Sequence, residues 1–183
     1  MAEQELINAC IDNDPSAQKI LFENYAAKML GICSRYCPNI EDARDALHEG
    51  FIKVFKLIHK FKGKSTLETW MTRLMINTSI DHYKKSMKFV HYENSDDVHA
   101  LGDGDQAYQI DVDEGRIDAK ELYKIIEMLP QGYKMVFNLY AVEGYSHKEI
   151  AEELDISEGT SKSQLARARA LLRKLLKEKL NIG

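Results

Sequence analysis

The chain has 183 residues, 44% hydrophobic and 30% charged, with ten glycines and three prolines; this allows one or two packed domains, and its wealth of Leu, Ala, Glu and Lys favours an all-helical fold. No apolar run approaches the roughly 18 residues of a membrane helix, and the opening MAEQELINAC lacks the basic and apolar regions of a leader, so a cytoplasmic protein is expected. The net charge of −4 argues by itself against a nucleic-acid partner, but its distribution reverses the argument: residues 1–50 carry −5, 51–88 carry +7, 89–159 carry −12 and 160–183 carry +6.

In chain order, the first predicted helix opens at NDPSA, with Asp14 as N-cap and Pro15 at the first helical position. Leu21, Tyr25, Met29, Ile32 and Tyr36 then recur every three or four residues, which is one face of a helix. CPN at 37–39 interrupts it, and a second helix follows with Ala43, Leu47, Phe51, Val54 and Ile58 on its buried stripe. FKGKS at 61–65 breaks the pattern around Gly63, and Ser65 with Glu68 is read as the capping box of a third helix running to about Lys88. Cys10, Cys33 and Cys37 are an odd number of thiols, expected to be reduced and buried. Cys33 and Cys37 sit one turn apart, but without a CxxC or HxxxH partner no metal site is expected.

Residues 89–117, HYENSDDVHALGDGDQAYQIDVDEG within them, are acidic, glycine-containing and aperiodic, and read as a flexible linker. The pattern resumes at Ile117 with Leu122, Ile125, Ile126 and Leu129, and stops at Pro130. GYKMVFNLYAVEG gives a further apolar helix ended by Gly144. The expected architecture is two small helical domains, 1–88 and 118–183, joined by the acidic linker 89–117.

The last stretch, YSHKEIAEELDISEGTSKSQLARARALLRKLLKEKL, places an acidic helix before a basic one. Ser146 and Glu149 form a capping box, Ile150, Ala151 and Leu154 face inward, and DIS makes a tight turn in which Ile156 plugs the angle. Ser157 caps the next helix with Thr160 three residues on, and Leu165, Ala168, Leu172 and Leu175 form its core stripe. Two short helices joined by such a turn are a helix-turn-helix, whose second helix lies in the major groove of DNA. The charge split then has a cause: Lys162, Arg167, Arg169 and Arg173 meet phosphates and base edges, with Ser161, Ser163 and Gln164 as short polar partners.

The first basic block has a different character. Thr69, Arg73, Asn77 and Asp81 are spaced by four and share a face, which Lys84 and Lys85 extend. Trp70 lies one turn before Arg73, and Phe61, Lys62, Gly63, Lys64 and Ser65 form a basic loop just upstream. Rings, cations and an amide around a loop suit single-stranded nucleic acid: bases stack or enter pockets while the cations follow the backbone. Asn77 offers a donor and an acceptor to an extruded base. On the second helix, Asp42, Asp45 and Glu49 form an acidic stripe that would repel DNA and so is expected to face protein.

LFENYAAKML, DARDALHEGFIKVFKLI, FKGKSTLETWMTRLMINTSIDHYKK and LPQGYKMVFNLYAVEGYSHKEIAEELDISEGTSKSQLARAR, in this order and spacing, resemble the extracytoplasmic-function (ECF) group of the sigma-70 family over most of the chain. The resemblance implies a promoter-specificity subunit of RNA polymerase. The first domain would bind the clamp helices of the β′ subunit, with Asp42, Asp45, Glu49 and Lys53 as candidates, and would trap a flipped base of the −10 element near Phe61–Ser65, Trp70 and Asn77. The second would read the −35 element through Ser157, Thr160, Ser161, Lys162, Ser163, Gln164, Arg167, Arg169 and Arg173, and touch the β flap. The linker would run toward the RNA exit path, and an inhibitory anti-sigma factor, membrane-bound or not, would hold the chain inactive. Lys162 and Gln164 stand where many relatives carry Arg, so a different −35 preference is expected. Ser161 replaces a commonly apolar residue, which is expected to loosen the seat of that helix.

The alternative is a conventional helix-turn-helix regulator that binds duplex DNA without polymerase, with residues 1–88 as an effector or dimerisation domain. The basic loop and the Trp70–Asn77 surface fit it poorly. No catalytic residues are assigned: paired carboxylates in a cleft, a P-loop and a nucleophile motif are all lacking, and DGD at 103–105 and DVDE at 111–114 lack the spacing of a calcium loop, so neither an enzyme nor a cofactor is expected.

Overall fold

A computed structural model describes residues 2–91 and 119–180, and the chain divides into two units, Met1–Glu93 and Asn94–Gly183. The described residues form helices and turns with no strand. Of the segment 89–117 read as a linker, residues 92–117 lie outside the described residues, and 89–91 still belong to a helix.

The first unit holds α1 (Glu3–Ile11), α2 (Pro15–Tyr36), α3 (Ile40–Leu57), a 3-10 turn (Ile58–Lys60) and α4 (Leu67–His91). Asp14 caps α2 as the sequence predicts, its carboxylate accepting from the backbone N–H of Ser16 at 2.8 Å and of Ala17 at 3.4 Å. Asn39 caps α3 by accepting from the N–H of Asp42. The cap of α4 departs from expectation: Thr66, not Ser65, accepts from the N–H of Thr69 at 3.1 Å, while the Ser65 hydroxyl turns to the Thr66 carbonyl. Glu68 does not close a capping box but pairs with Lys28 of α2 at 2.6 Å.

Helices α2, α3 and α4 pack against one another around Leu21, Met29, Ile32, Tyr36, Leu47, Phe51, Val54, Met71, Met75, Ile76 and Ile80, all buried. Helix α1, absent from the sequence reading, covers α2 and the 3-10 turn with Leu6, Ile7 and Cys10. Asn13 at φ 60° reverses the chain between α1 and α2, a left-handed conformation that asparagine tolerates better than most residues. All three cysteines are free and buried, as expected. Burial pushes the Cys33 thiol above its ordinary value, only partly offset by a hydrogen bond with Ser79, which keeps it protonated and unreactive.

The second unit holds α5 (Ala119–Glu127), α6 (Gln131–Phe137), a π-turn (Asn138–Val142), α7 (His147–Leu154) and α8 (Glu158–Leu180). Its long α8 packs on α5, α6 and α7 through Leu165, Ala168, Leu172 and Leu176. Among the described residues the stripe ends at Leu176 rather than the expected Leu175, which is half-buried, because 3.6-residue periodicity carries it eleven residues, three turns, beyond Leu165. The π-turn closes with the N–H of Glu143 on the carbonyl of Asn138, and Gly144 at φ 75° then releases the chain.

Lys134 is 4% exposed, and its ammonium sits 3.0 Å from the Glu127 carboxylate. Removing one partner of such a pair strands a charge. Glu127→Ala is therefore expected to lower the unfolding free energy of the chain by about 2 kcal/mol, while Lys134→Met costs little. Denaturant titration of both variants checks the asymmetry.

Candidate nucleic-acid and protein interfaces

The loop between the 3-10 turn and α4 places Lys62, Gly63, Lys64 and Ser65 in solvent. Gly63 has φ 66°, the left-handed region where a side chain is strained, so the glycine permits the sharp reversal. The rings of Phe61 and Trp70 meet at 5.6 Å between centroids, tilted by 52°, and both are half-buried. Trp70 is therefore neither fully in the core nor free: it and Phe61 form an aromatic step beside the cationic loop. Thr69, Arg73, Asn77 and Asp81 are exposed along one face of α4, as their spacing predicts, and Lys85 is exposed beyond them while Lys84 is half-buried. The opposite face buries two hydroxyls without cost, because Thr78 and Ser79 donate to the carbonyls of Leu74 and Met75 four residues back.

A second group of side chains joins α3 to α4. Lys53 lies 3.1 Å from Glu49 and 3.3 Å from Asp81, and His82 Nε2 lies 2.8 Å from the other oxygen of Glu49. Burial alone would push the Glu49 pKa up, but hydrogen bonds from Lys53 and His82 and the charges of Lys53 and Lys85 outweigh it, so its carboxyl ends below the ordinary value. The acidic stripe expected on α3 is thus shared out. The Asp42 carboxylate accepts from the Asn39 amide at the helix start, Asp45 is exposed, and Glu49 turns toward α4. The sequence reading missed His82, 33 positions from its partner. It also missed Ile52, which is 53% exposed. Ile52 follows Asp45 and His48 at helical spacing, so an apolar side chain stands on the outward face of α3.

In the second unit the helix-turn-helix forms as read. Ser146 accepts from the N–H of Glu149, whose carboxylate accepts from the N–H of Ser146, and Asp155 takes the left-handed turn position at φ 55°. Ser157 accepts from the N–H of Thr160 at 2.9 Å. Along α8, Lys162, Arg169 and Arg173 follow one flank, while Thr160, Ser163 and Arg167 follow the other. Gln164 is half-buried between them and the core.

Ser161 requires a correction. It is fully buried, because its spacing to Leu165, Ala168 and Leu172 places it on the core stripe, and it does not present its hydroxyl to DNA. Nor does it sit loosely there: its Oγ lies 3.0 Å from Nδ1 of His147, the first residue of α7. The His147 ring stacks on Tyr140 at 4.7 Å and 22°, and the Arg169 guanidinium lies 5.6 Å from the centre of the same Tyr140 ring. Neither Tyr140 nor His147 was singled out in the sequence, since nothing in an α-helical repeat marks a π-turn.

Burial pushes the His147 imidazole below its ordinary value, Lys162 and Arg169 push it further, and Glu158 opposes them. A histidine held down in the folded state contributes stability that is complete above the unfolded value, about 6.5, and is lost as the pH falls below it. Thermal melts between pH 8 and pH 5.5 are expected to show the second unit weakening on the acid side. His147→Gln should flatten that dependence; an identical slope in parent and variant would exclude His147 as its source.

A helix-turn-helix with a cationic second helix in one unit, and an aromatic step beside a cationic loop in the other, define an all-helical class of protein with a cationic surface in each unit. Residues 21–89 match Sigma-70 region 2 and residues 119–172 match Sigma-70, region 4. The chain belongs to the sigma-70 family, in its ECF group. It is 29% identical over 178 residues to the ECF RNA polymerase sigma-E factor of Haemophilus influenzae, covering 94% of each chain. The sigma-E factor of Escherichia coli is 29% identical over 175 residues, covering 92% of this chain and 91% of that one. In fold it is similar to the sigma factor RpoE of Bartonella quintana, solved with the anti-sigma factor NepR, at 20% identity and a TM-score of 0.50 over 87% of this chain and 96% of that one.

Proposed function

We propose that this alternative sigma factor divides promoter recognition between its two units. The first unit binds core RNA polymerase through the outward face of α3, with Asp42, Asp45, Glu49 and Lys53 as the candidate contacts and Ile52 as an apolar anchor among them. It holds the opened −10 strand along Phe61–Ser65, Trp70, Arg73, Asn77, Lys84 and Lys85. Asp81, paired with Lys53, then serves as the joint between the polymerase face and the DNA face rather than as a direct DNA contact. The second unit docks α8 in the −35 major groove, with Lys162, Arg169 and Arg173 on one strand's phosphates and Arg167 and Ser163 toward base edges. Ser157 and Thr160 present the helix N-terminus to phosphate.

The observation that carries this reading is the half-buried Phe61–Trp70 pair beside four exposed loop residues, because duplex readout alone has no use for an aromatic step there. A regulator working without polymerase leaves that surface idle. The Bartonella quintana relative is solved with an anti-sigma factor, and an inhibitory partner of that kind is proposed for this chain too.

Run-off transcription with core polymerase tests the −10 assignment. Loss of a donor–acceptor pair to a base is worth about 1–3 kcal/mol, so Asn77→Ala should reduce transcripts from a duplex promoter by about tenfold or more. Full-strength transcription by that variant would remove Asn77 from the site.

A further inference from the structure

We propose that Tyr140 and His147 form a clasp that sets the position of Arg169 and the first turns of α8 on DNA, making Tyr140, which lies outside the helix-turn-helix, a positioning residue for recognition of the upstream promoter element. The inference rests on the reading of α8 as the helix that meets that element.

The backbone supplies the first argument. A π-turn widens the hydrogen-bonded ring by one residue, is rare, and is frequently found at functional sites. Here it follows the core residues Met135, Val136 and Phe137, keeps Leu139 buried, and leaves Tyr140 37% exposed. The side chains supply the second. One face contact of the Tyr140 ring is the imidazole of His147 at 4.7 Å, and the ring also carries the Arg169 guanidinium at 5.6 Å. His147 in turn reaches the buried hydroxyl of Ser161 at 3.0 Å, in the first turn of α8. Three elements, the π-turn, the start of α7 and the first half of α8, therefore meet through four side chains.

The physical consequence falls on Arg169. A guanidinium lying over a ring is attracted by its quadrupole and gives up rotamer freedom before DNA arrives, while its N–H edge stays available. Less ordering remains to be done on binding, so a preplaced cation contributes more than a mobile one. Contacts to phosphate fix register rather than read sequence. The clasp thus governs how α8 sits, and through that how well Arg167 and Ser163 on the other flank meet base edges.

The test uses the full chain assembled with core RNA polymerase and a randomised DNA library, scoring enrichment of the upstream and start-proximal blocks separately. Tyr140→Leu keeps apolar bulk and removes the ring; it is expected to lower upstream enrichment about fivefold and leave the start-proximal block unchanged. Tyr140→Phe keeps the ring and is expected to restore full enrichment. Arg169→Lys keeps the charge without the planar group; it should reproduce the loss with no change in thermal midpoint, so the idea stays testable even where Tyr140→Leu weakens the fold. Full upstream enrichment by both Tyr140→Leu and Arg169→Lys, while Arg167→Ala abolishes it, overturns the clasp and spares the reading of α8. Full enrichment by all three overturns both.

Discussion

Arg167→Ala is expected to reduce transcription from promoters that depend on an upstream element by about 10- to 100-fold. Arg167 lies on the flank of α8 shared with Thr160 and Ser163, opposite the core stripe Leu165, Ala168 and Leu172. A bidentate arginine contact with a base is worth about 1–3 kcal/mol of discrimination, and each 1.4 kcal/mol is a factor of ten. Removing Lys174, further along the same flank and paired with Glu178, should do far less. The distinguishing measurement is run-off transcription from two templates, one with the upstream block intact and one with it scrambled. The variant should lose activity only on the first. Equal loss on both would assign Arg167 to folding rather than to recognition.

Gly50→Leu is expected to cost the first unit about 3 kcal/mol or more. Gly50 lies where α3 crosses α4, and a Cβ there would run into the Met75 sulfur, itself fully buried. Methionine is flexible, so Gly50→Ala forces its side chain to move and costs about 1 kcal/mol. Leucine adds more atoms than Met75 can yield, in a unit whose core residues Val54, Met71 and Ile76 are likewise fully buried. The helices must then part, and with them go the pairs Lys53–Asp81 and Glu49–His82 that tie α3 to α4. Circular dichroism melts of the two variants, with Met75→Ala combined with Gly50→Leu as a partial rescue, measure the packing directly. Parent-like melting of Gly50→Leu would mean the crossing is looser than its geometry requires.

Most of the architecture was legible because it is written in local chemistry. Asp14 before Pro15, Ser146 with Glu149 and Ser157 with Thr160 each announce a helix start through their own hydrogen bonds. The inward stripe of α3 follows from spacing alone, as do that of α2 apart from the half-buried Tyr25 and that of α8 as far as Leu172. Ser161 was misassigned against that same rule: its distance from Leu165 and Ala168 already placed it in the core, and the expectation of a DNA contact came from its neighbours Lys162 and Ser163 instead. Helix α1 escaped notice because its N-cap position is Ala2, whose N–H is met by Glu5 rather than by a capping side chain of its own, and three of its nine residues are buried. The π-turn was invisible in principle, since it changes hydrogen-bond register without a sequence mark. The links between Glu49 and His82, and between Tyr140, His147, Ser161 and Arg169, depend on tertiary packing over distances no local pattern spans.

Once the chain is on polymerase, the cationic surface of each unit is expected to meet a different DNA element. Site-directed photocrosslinking tests it most directly, with a crosslinking side chain placed at Lys62 or at Lys162 in the assembled complex on a selected promoter. The expected result is a crosslink from position 62 to the opened strand near the start site and from position 162 to upstream duplex, both dependent on core polymerase. Crosslinks from both positions to one duplex block, formed equally well by the chain without polymerase, would contradict it.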